Sequence, residues 1–217
     1  MKTDMPRRLS SEEINALPQF RYDGPVHVVR SCEQWQAALP DVRSTRLLGF
    51  DTETRPSFRK GKRNAPALVQ LATARAVYLI QLSALPFGPH LAEILANPLQ
   101  IKAGVGIRDD MCDLTRLHDF EPAGLTDLGG VARAHKLPCH GLRSMAAHFF
   151  GWRISKGSQC SNWDLAELTP RQIVYAATDA WIGRLLFLRM CELGLIPACP
   201  AGVEACLPQG AEAEEEG

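Results

Sequence analysis

Leu47-Leu48-Gly49-Phe50-Asp51-Thr52-Glu53 is the stretch on which the fold turns. It is a nearly unbroken apolar run that ends abruptly in acid. A continuous run of this kind is the pattern of a central strand, covered on both faces of an α/β sheet. Side chains alternate along a strand, so Asp51 and Glu53 point the same way from its C-terminal end. Open α/β sheets tend to bind ligands at that end. Taken alone, an Asp-x-Glu is also what a strand end meeting solvent looks like. Between apolar strands, an unpaired acid is costly, which favours a cation as its partner.

Outward from this strand the chain reads as one mixed sheet flanked by helices, with strands early and helices late. Pro25 to Arg30 is expected as a first strand, and Ser31 to Leu39 as an amphipathic helix. Leu68 to Thr73 and Ala76 to Leu82 read as two strands of a hairpin, broken at Ala74-Arg75. His90 to Ala96 reads as a helix stopped by Asn97-Pro98. Ile101 to Ile107 is a further strand, followed by helices over Asp109 to Asp119, Leu125 to Ala134 and Leu142 to Phe150. The last helix has the strongest local signals. Thr169 is a good N-cap, Pro170 suits the first helical position and Gln172 completes a capping box. It runs to about Leu193, where Gly194 is placed to end it. The expected organisation is a polar extension over 1–24, a single α/β domain over 25–196 and an acidic, disordered tail over 197–217.

Two further acidic positions join the first pair. Asp110 follows the apolar run Ile101-Lys102-Ala103-Gly104-Val105-Gly106-Ile107. Tyr175 and Asp179 stand four apart in the last helix, and residues i and i+4 share a helix face. Alone, that pair is equally a helical packing pair. Together, four carboxylates and a phenol at the ends of elements suit a particular task. Cleaving a phosphodiester requires stabilising an attacking hydroxide and a departing oxyanion. Two divalent cations about 3.5–4 Å apart do both, and hard cations prefer carboxylate oxygens. A phenol has an ordinary pKa near 10, so Tyr175 suits the orienting of a water better than the taking of its proton.

With these residues the chain resembles the DEDDy branch of the 3′–5′ exonucleases, in the RNase H-like superfamily, over residues 26–193. Asp51-Thr52-Glu53, Gly104-Val105-Gly106-Ile107-Arg108-Asp109-Asp110 and Tyr175-x-x-x-Asp179 are similar to its three motifs. Cys160-Ser161-Asn162-Trp163 and Tyr175-Ala176-Ala177-Thr178-Asp179-Ala180 bring it nearest to Werner-type exonuclease domains, and RNase D is more distantly similar. The resemblance implies an RNase H-like fold and a cofactor of two Mg²⁺ or Mn²⁺ ions. It implies that Asp51 bridges both ions, that Glu53 and Asp179 complete the first site and that Asp110 holds the second. It also implies that Tyr175 orients the water and that nucleoside 5′-monophosphates leave from a free 3′ end, with DNA favoured. An RNase D-like exoribonuclease and a catalytically inactive binding module of the same fold are the alternatives. The family's spacing selects Asp110 over Asp109, which lies about 100° round a helix from it. Werner-type domains carry a Trp two residues beyond this Asp, where this chain has Cys112.

The totals are permissive. The chain has 217 residues, is 46% hydrophobic and has a formal net charge of zero. That is core enough for one domain, but a nucleic-acid binder is usually basic. Charge along the groove matters more than the total. Arg55, Arg59, Lys60, Lys62 and Arg63 follow the first motif directly, and read either as a solvated loop or as a loop tracking phosphates. Lys156, in the loop before Cys160, has the same two readings. Asp127 reads as a helix N-cap rather than a ligand. Seven scattered cysteines contain no C-x-x-C pair, and the His135, Cys139 and His140 spacing fits no standard zinc site. No secretory signal pattern and no membrane-spanning run is evident. A reducing, cytoplasmic setting, no membrane, a nucleic-acid substrate and a possible protein partner for targeting are therefore expected.

Overall fold

The computed structural model describes residues 7–55 and 64–197. Its single sheet has six strands, β1 (Val26–Val29), β2 (Leu47–Thr54), β3 (Pro66–Ala72), β4 (Val77–Gln81), β5 (Ile101–Gly104) and β6 (Leu125–Asp127). They lie in the order β1-β4-β3-β2-β5-β6. β3 is antiparallel to both neighbours and the remaining pairs are parallel. The helices are α1 (Ser11–Ala16), α2 (Cys32–Ser44), α3 (Pro89–Ala96), α4 (Ile107–Thr115), α5 (Leu128–Ala134), α6 (Leu142–Phe150) and α7 (Pro170–Glu192).

The alternation of β2 divides the core. Leu48 and Phe50 pack with residues of α2, α3 and α4. Leu47 faces the other way, into a cluster with Ile182, Leu185 and Leu186 of α7. α7 is buried around most of its circumference, which is how a helix apolar on all sides is used. Its start has the full capping box, with the Thr169 hydroxyl accepting from the Gln172 amide and the Gln172 side chain accepting from the Thr169 amide.

α6 and α7 fall where the sequence places them, and so does the β3–β4 hairpin. Four elements differ, one of them α4, which ends at Thr115 rather than Asp119. α2 continues past Leu39 through Pro40 to Ser44. A proline inside a helix disrupts a turn, but the added residues are well used. Val42 is fully buried. Asp41 accepts from the Thr73 hydroxyl at 2.7 Å and the Tyr78 hydroxyl at 3.0 Å, tying the helix to the hairpin. β5 ends at Gly104 rather than Ile107, because Gly106 takes a left-handed turn (φ 78°) and α4 starts at once. The segment expected as one helix from Leu125 splits, with Leu125–Asp127 pairing with β5 before α5 begins.

Candidate active site

Gly49 decides where α7 can lie. It faces α7 two residues before Asp51, and a Cβ built on it would come within 2.0 Å of the Ala180 carbonyl oxygen. Only glycine allows the α7 backbone to press directly onto β2 there. That contact sets Asp179, next to Ala180, against Asp51 and Glu53. The three carboxylates offer ligand atoms within 4.8 Å of one another. Among the described residues this is the one group of three or more such side chains close enough to share a metal ion.

Asp110 arrives from the other face. Thr52 alternates away from its acidic neighbours toward α4, and its hydroxyl donates to Asp110 Oδ1 at 2.8 Å. Asp110 stands on the first turn of α4. The turn leading into that helix is pinned by Asp127, whose Oδ1 accepts from the Gly106 amide at 3.1 Å and caps α5 through the Gly129 and Gly130 amides. Asp127 is therefore an N-cap and a brace. Asp109 is exposed, and Asp113 is buried and paired with Arg116.

Crowded and desolvated, Asp51, Glu53 and Asp179 resist ionising. Burial pushes the Glu53 carboxyl up to about 10, and the charges of Asp51, Asp179 and Asp110 add to the effect. Asp51 is pushed well above the usual carboxylate range by burial and then by Asp179 and Asp110. Asp179 rises to about 7 through burial, opposed by a hydrogen bond from the Tyr175 phenol. Burial and the neighbouring acids raise Tyr175 as well, so its phenol keeps its proton. Carboxylates forced together in this way are a donor set that divalent cations would relieve. The residues fit such ions.

Asp51, Glu53 and Asp179 open onto a cleft of about 480 Å³. Lys156 lines it. Arg55 does not. It lines a separate hollow with Asn64, Pro86 and Asp164. Arg59 and Lys60, with Lys62 and Arg63, lie outside the described residues, as does the acidic tail from 198. The sequence reading passed over Gly49 and Thr52, and also Arg8 and Arg143, which line the cleft. A glycine within an otherwise bulky central strand was the available signal for close backbone approach. Trp163 is fully buried, while Trp152 stacks on Phe20 at 4.3 Å and Trp181 lies against Tyr22 at 4.8 Å.

Known proteins match this chain in sequence and in fold. A family model described as 3′–5′ exonuclease matches residues 26–193. The mouse bifunctional 3′–5′ exonuclease/ATP-dependent helicase WRN is 35% identical over 155 residues, covering 68% of this chain. The chain spans only 11% of that relative's length. The Aedes aegypti Nibbler EXO domain superposes with a TM-score of 0.69 at 22% identity, covering 80% of this chain and 94% of that domain. Escherichia coli RNase D, described as an exoribonuclease involved in structured RNA processing, gives 0.66 at 22% identity, covering 79% of this chain and 47% of that one. Both likenesses show the fold, which in this chain is a mixed six-stranded sheet flanked by helices in one α/β domain.

Proposed function

Because the chain belongs to the 3′–5′ exonuclease family, we propose that it shortens a nucleic-acid strand from its free 3′ end, releasing nucleoside 5′-monophosphates with the help of two divalent cations, Mg²⁺ or Mn²⁺. The observation that carries this is the convergence of Asp51, Glu53 and Asp179 at the end of β2, with Asp110 held beside them by Thr52. Asp51, Glu53 and Asp179 would hold the first cation. Asp110, with Asp51, would hold the second. When bound, such ions supply positive charge to the oxygens that attack and leave phosphorus. The protein's own part is placement. Gly49 and α7 fix the distance between Asp179 and the β2 acids. Tyr175 keeps its proton, gives it to a hydrogen bond with Asp179 and would align a water.

DNA is the first substrate and RNA the second. The fold shared with a bacterial exoribonuclease favours keeping the RNA reading. The acids do not see the sugar, and discrimination requires contacts to the 2′-hydroxyl. The five described cysteines are free thiols, which supports a reducing compartment such as the cytoplasm. No described helix is long and apolar enough to cross a membrane.

The test is a 5′-labelled single strand of DNA and one of RNA, matched in sequence, each with Mg²⁺, Mn²⁺ or EDTA. A metal-dependent ladder shortening from the 3′ end, absent in Asp51→Ala, is expected, and the faster ladder identifies the sugar. Bound metal without cleavage of either strand would point instead to a binding module.

A further inference from the structure

The cleft has a second wall of opposite chemistry. Residues 7–24 run across the face of the domain rather than away from it. The Arg153 amide donates to the Pro18 carbonyl and the Phe20 amide to the Arg153 carbonyl, both at 2.9 Å. The Tyr22 amide donates to the Thr178 hydroxyl at 3.0 Å, one residue from Asp179. Hung from these bonds, the segment around α1 reaches the cleft. Arg8, Leu9, Ser11 and Ile14 line the same cavity as Asp51, Glu53 and Asp179.

α1 is fastened locally as well. Ser10 and Glu13 form a capping box. Arg7 pairs with Glu13, which leaves the neighbouring Arg8 as the guanidinium of this segment that lines the cleft. Asn15 Oδ1 accepts a hydrogen bond from Arg143 of α6. Arg143 lines the cleft too, and its Nε is buried with no hydrogen-bond partner. Lys156 lines the same cleft, and among the described residues the carboxylates lining it are those of Asp51, Glu53 and Asp179.

On the exonuclease reading above, on which this rests, we infer that α1 and α6 form a strand-gripping wall in which Arg8 and Arg143 hold a backbone phosphate upstream of the terminal nucleotide. Phosphate oxygens match guanidinium donors in geometry and charge. The cations' acids govern the terminal linkage, so the basic wall falls to the strand behind it. Among the described residues Phe50 and Tyr175 are the cleft's only aromatic lining residues, and the wall itself adds aliphatic side chains such as Leu9, Leu142 and Ile154. Such a surface grips the backbone without reading bases.

The test is binding of a 5′-fluorescent single-stranded oligonucleotide to the full chain in Ca²⁺, by anisotropy, across a salt series. Arg8→Ala and Arg143→Ala should each weaken binding about three- to tenfold and lower the slope of log Kd against log salt by about 0.7. Arg8→Lys should restore the slope, because the charge returns. Asn15→Ala separates fastening from charge, and should weaken binding without changing the slope. Arg189→Ala, the same charge loss at the far end of α7, is the control and should change neither. A nucleoside 5′-monophosphate, which has no upstream phosphate, should bind Arg8→Ala as it binds wild type. An unchanged slope in Arg8→Ala, or an equal loss for the monophosphate, would overturn the inference. Wild-type protein that binds the strand normally yet never cuts it would sink the exonuclease reading and leave the wall standing.

Discussion

The two faces of β2 solve the same problem in different ways. Toward α7, Asp51 and Glu53 meet Asp179 directly, because a glycine lets two backbones touch and three carboxylates come within 4.8 Å. Toward α4, no acid leaves the strand. A threonine hydroxyl reaches out and holds Asp110 at 2.8 Å, outside that tight group. One face builds a crowded, desolvated pole by close packing. The other tethers its acid through a side-chain hydrogen bond. Packing is rigid and intolerant of added volume, whereas a single hydrogen bond contributes about 0.5–1.5 kcal/mol and can be replaced in part. The two faces should therefore fail differently.

The largest effect is expected at the packed face. Asp51→Asn should lower kcat by on the order of a thousandfold or more, since it removes a carboxylate both ions would share. The same change should raise the melting temperature of the metal-free protein, because it removes a charge that burial opposes. A metal-free melting temperature that falls would show that Asp51 is not crowded. Gly49→Ala comes next. Its methyl group would meet the Ala180 carbonyl, so α7 must shift, at a cost of about 1–3 kcal/mol. A displacement of about 1 Å at the reacting groups costs on the order of a hundredfold in rate. A crystal structure and activity assay of this variant would check both, and wild-type activity would contradict the close contact.

Tyr175→Phe keeps every carboxylate and loses one hydroxyl. A fall of ten- to a hundredfold in kcat, with metal affinity little changed, is the expected result for a group that aligns water. Loss equal to Asp51→Asn would mean that the phenol does more. Thr52→Val tests the tethered face. Partners that orient a ligand are worth about 10–100-fold in metal affinity or activity, and the lower end is expected here, recoverable with more Mn²⁺. If Thr52→Val matched Gly49→Ala, the contrast between the faces would collapse.

The smallest effect is on stability, and its sign is fixed. Glu53 titrates at about 10 and Asp179 at about 7 in the folded protein, against an ordinary range near 4. Between those limits the folded state holds more protons than the unfolded one, so metal-free stability falls as pH rises from about 4 toward 10. Saturating Mg²⁺ or Mn²⁺ should raise the melting temperature more at pH 8 than at pH 5. A flat metal-free profile would mean that the acids do not converge.

The parts of this design that were legible in sequence are those with a strong period or a cap. β2 announces itself by its apolar run, α7 by its capping box, and the convergence of Asp51, Glu53 and Asp179 by their order along the chain. β6 was not legible because three residues are too few to show alternation, and Leu128 continues the apolar pattern straight into α5. Pro40 is a residue that disfavours a helix interior, and the burial of Val42 with the tertiary bonds of Asp41 explains why α2 continues. The basic wall was hidden for another reason. α1 is six residues of mostly polar sequence, and nothing in it says that Arg8 stands across a cleft from Glu53. Arg55, adjacent to the first motif in sequence, lines a different hollow. Proximity along the chain was a poor guide to proximity in space.

The most direct measurement is a count of Mn²⁺ ions by electron paramagnetic resonance titration, with an oligonucleotide whose 3′-terminal linkage resists hydrolysis. Wild-type protein should bind two ions per chain, close enough for their spins to couple, and Asp51→Asn should lose that coupled pair. A wild-type protein that binds one ion or none under these conditions would contradict the paired-cation site.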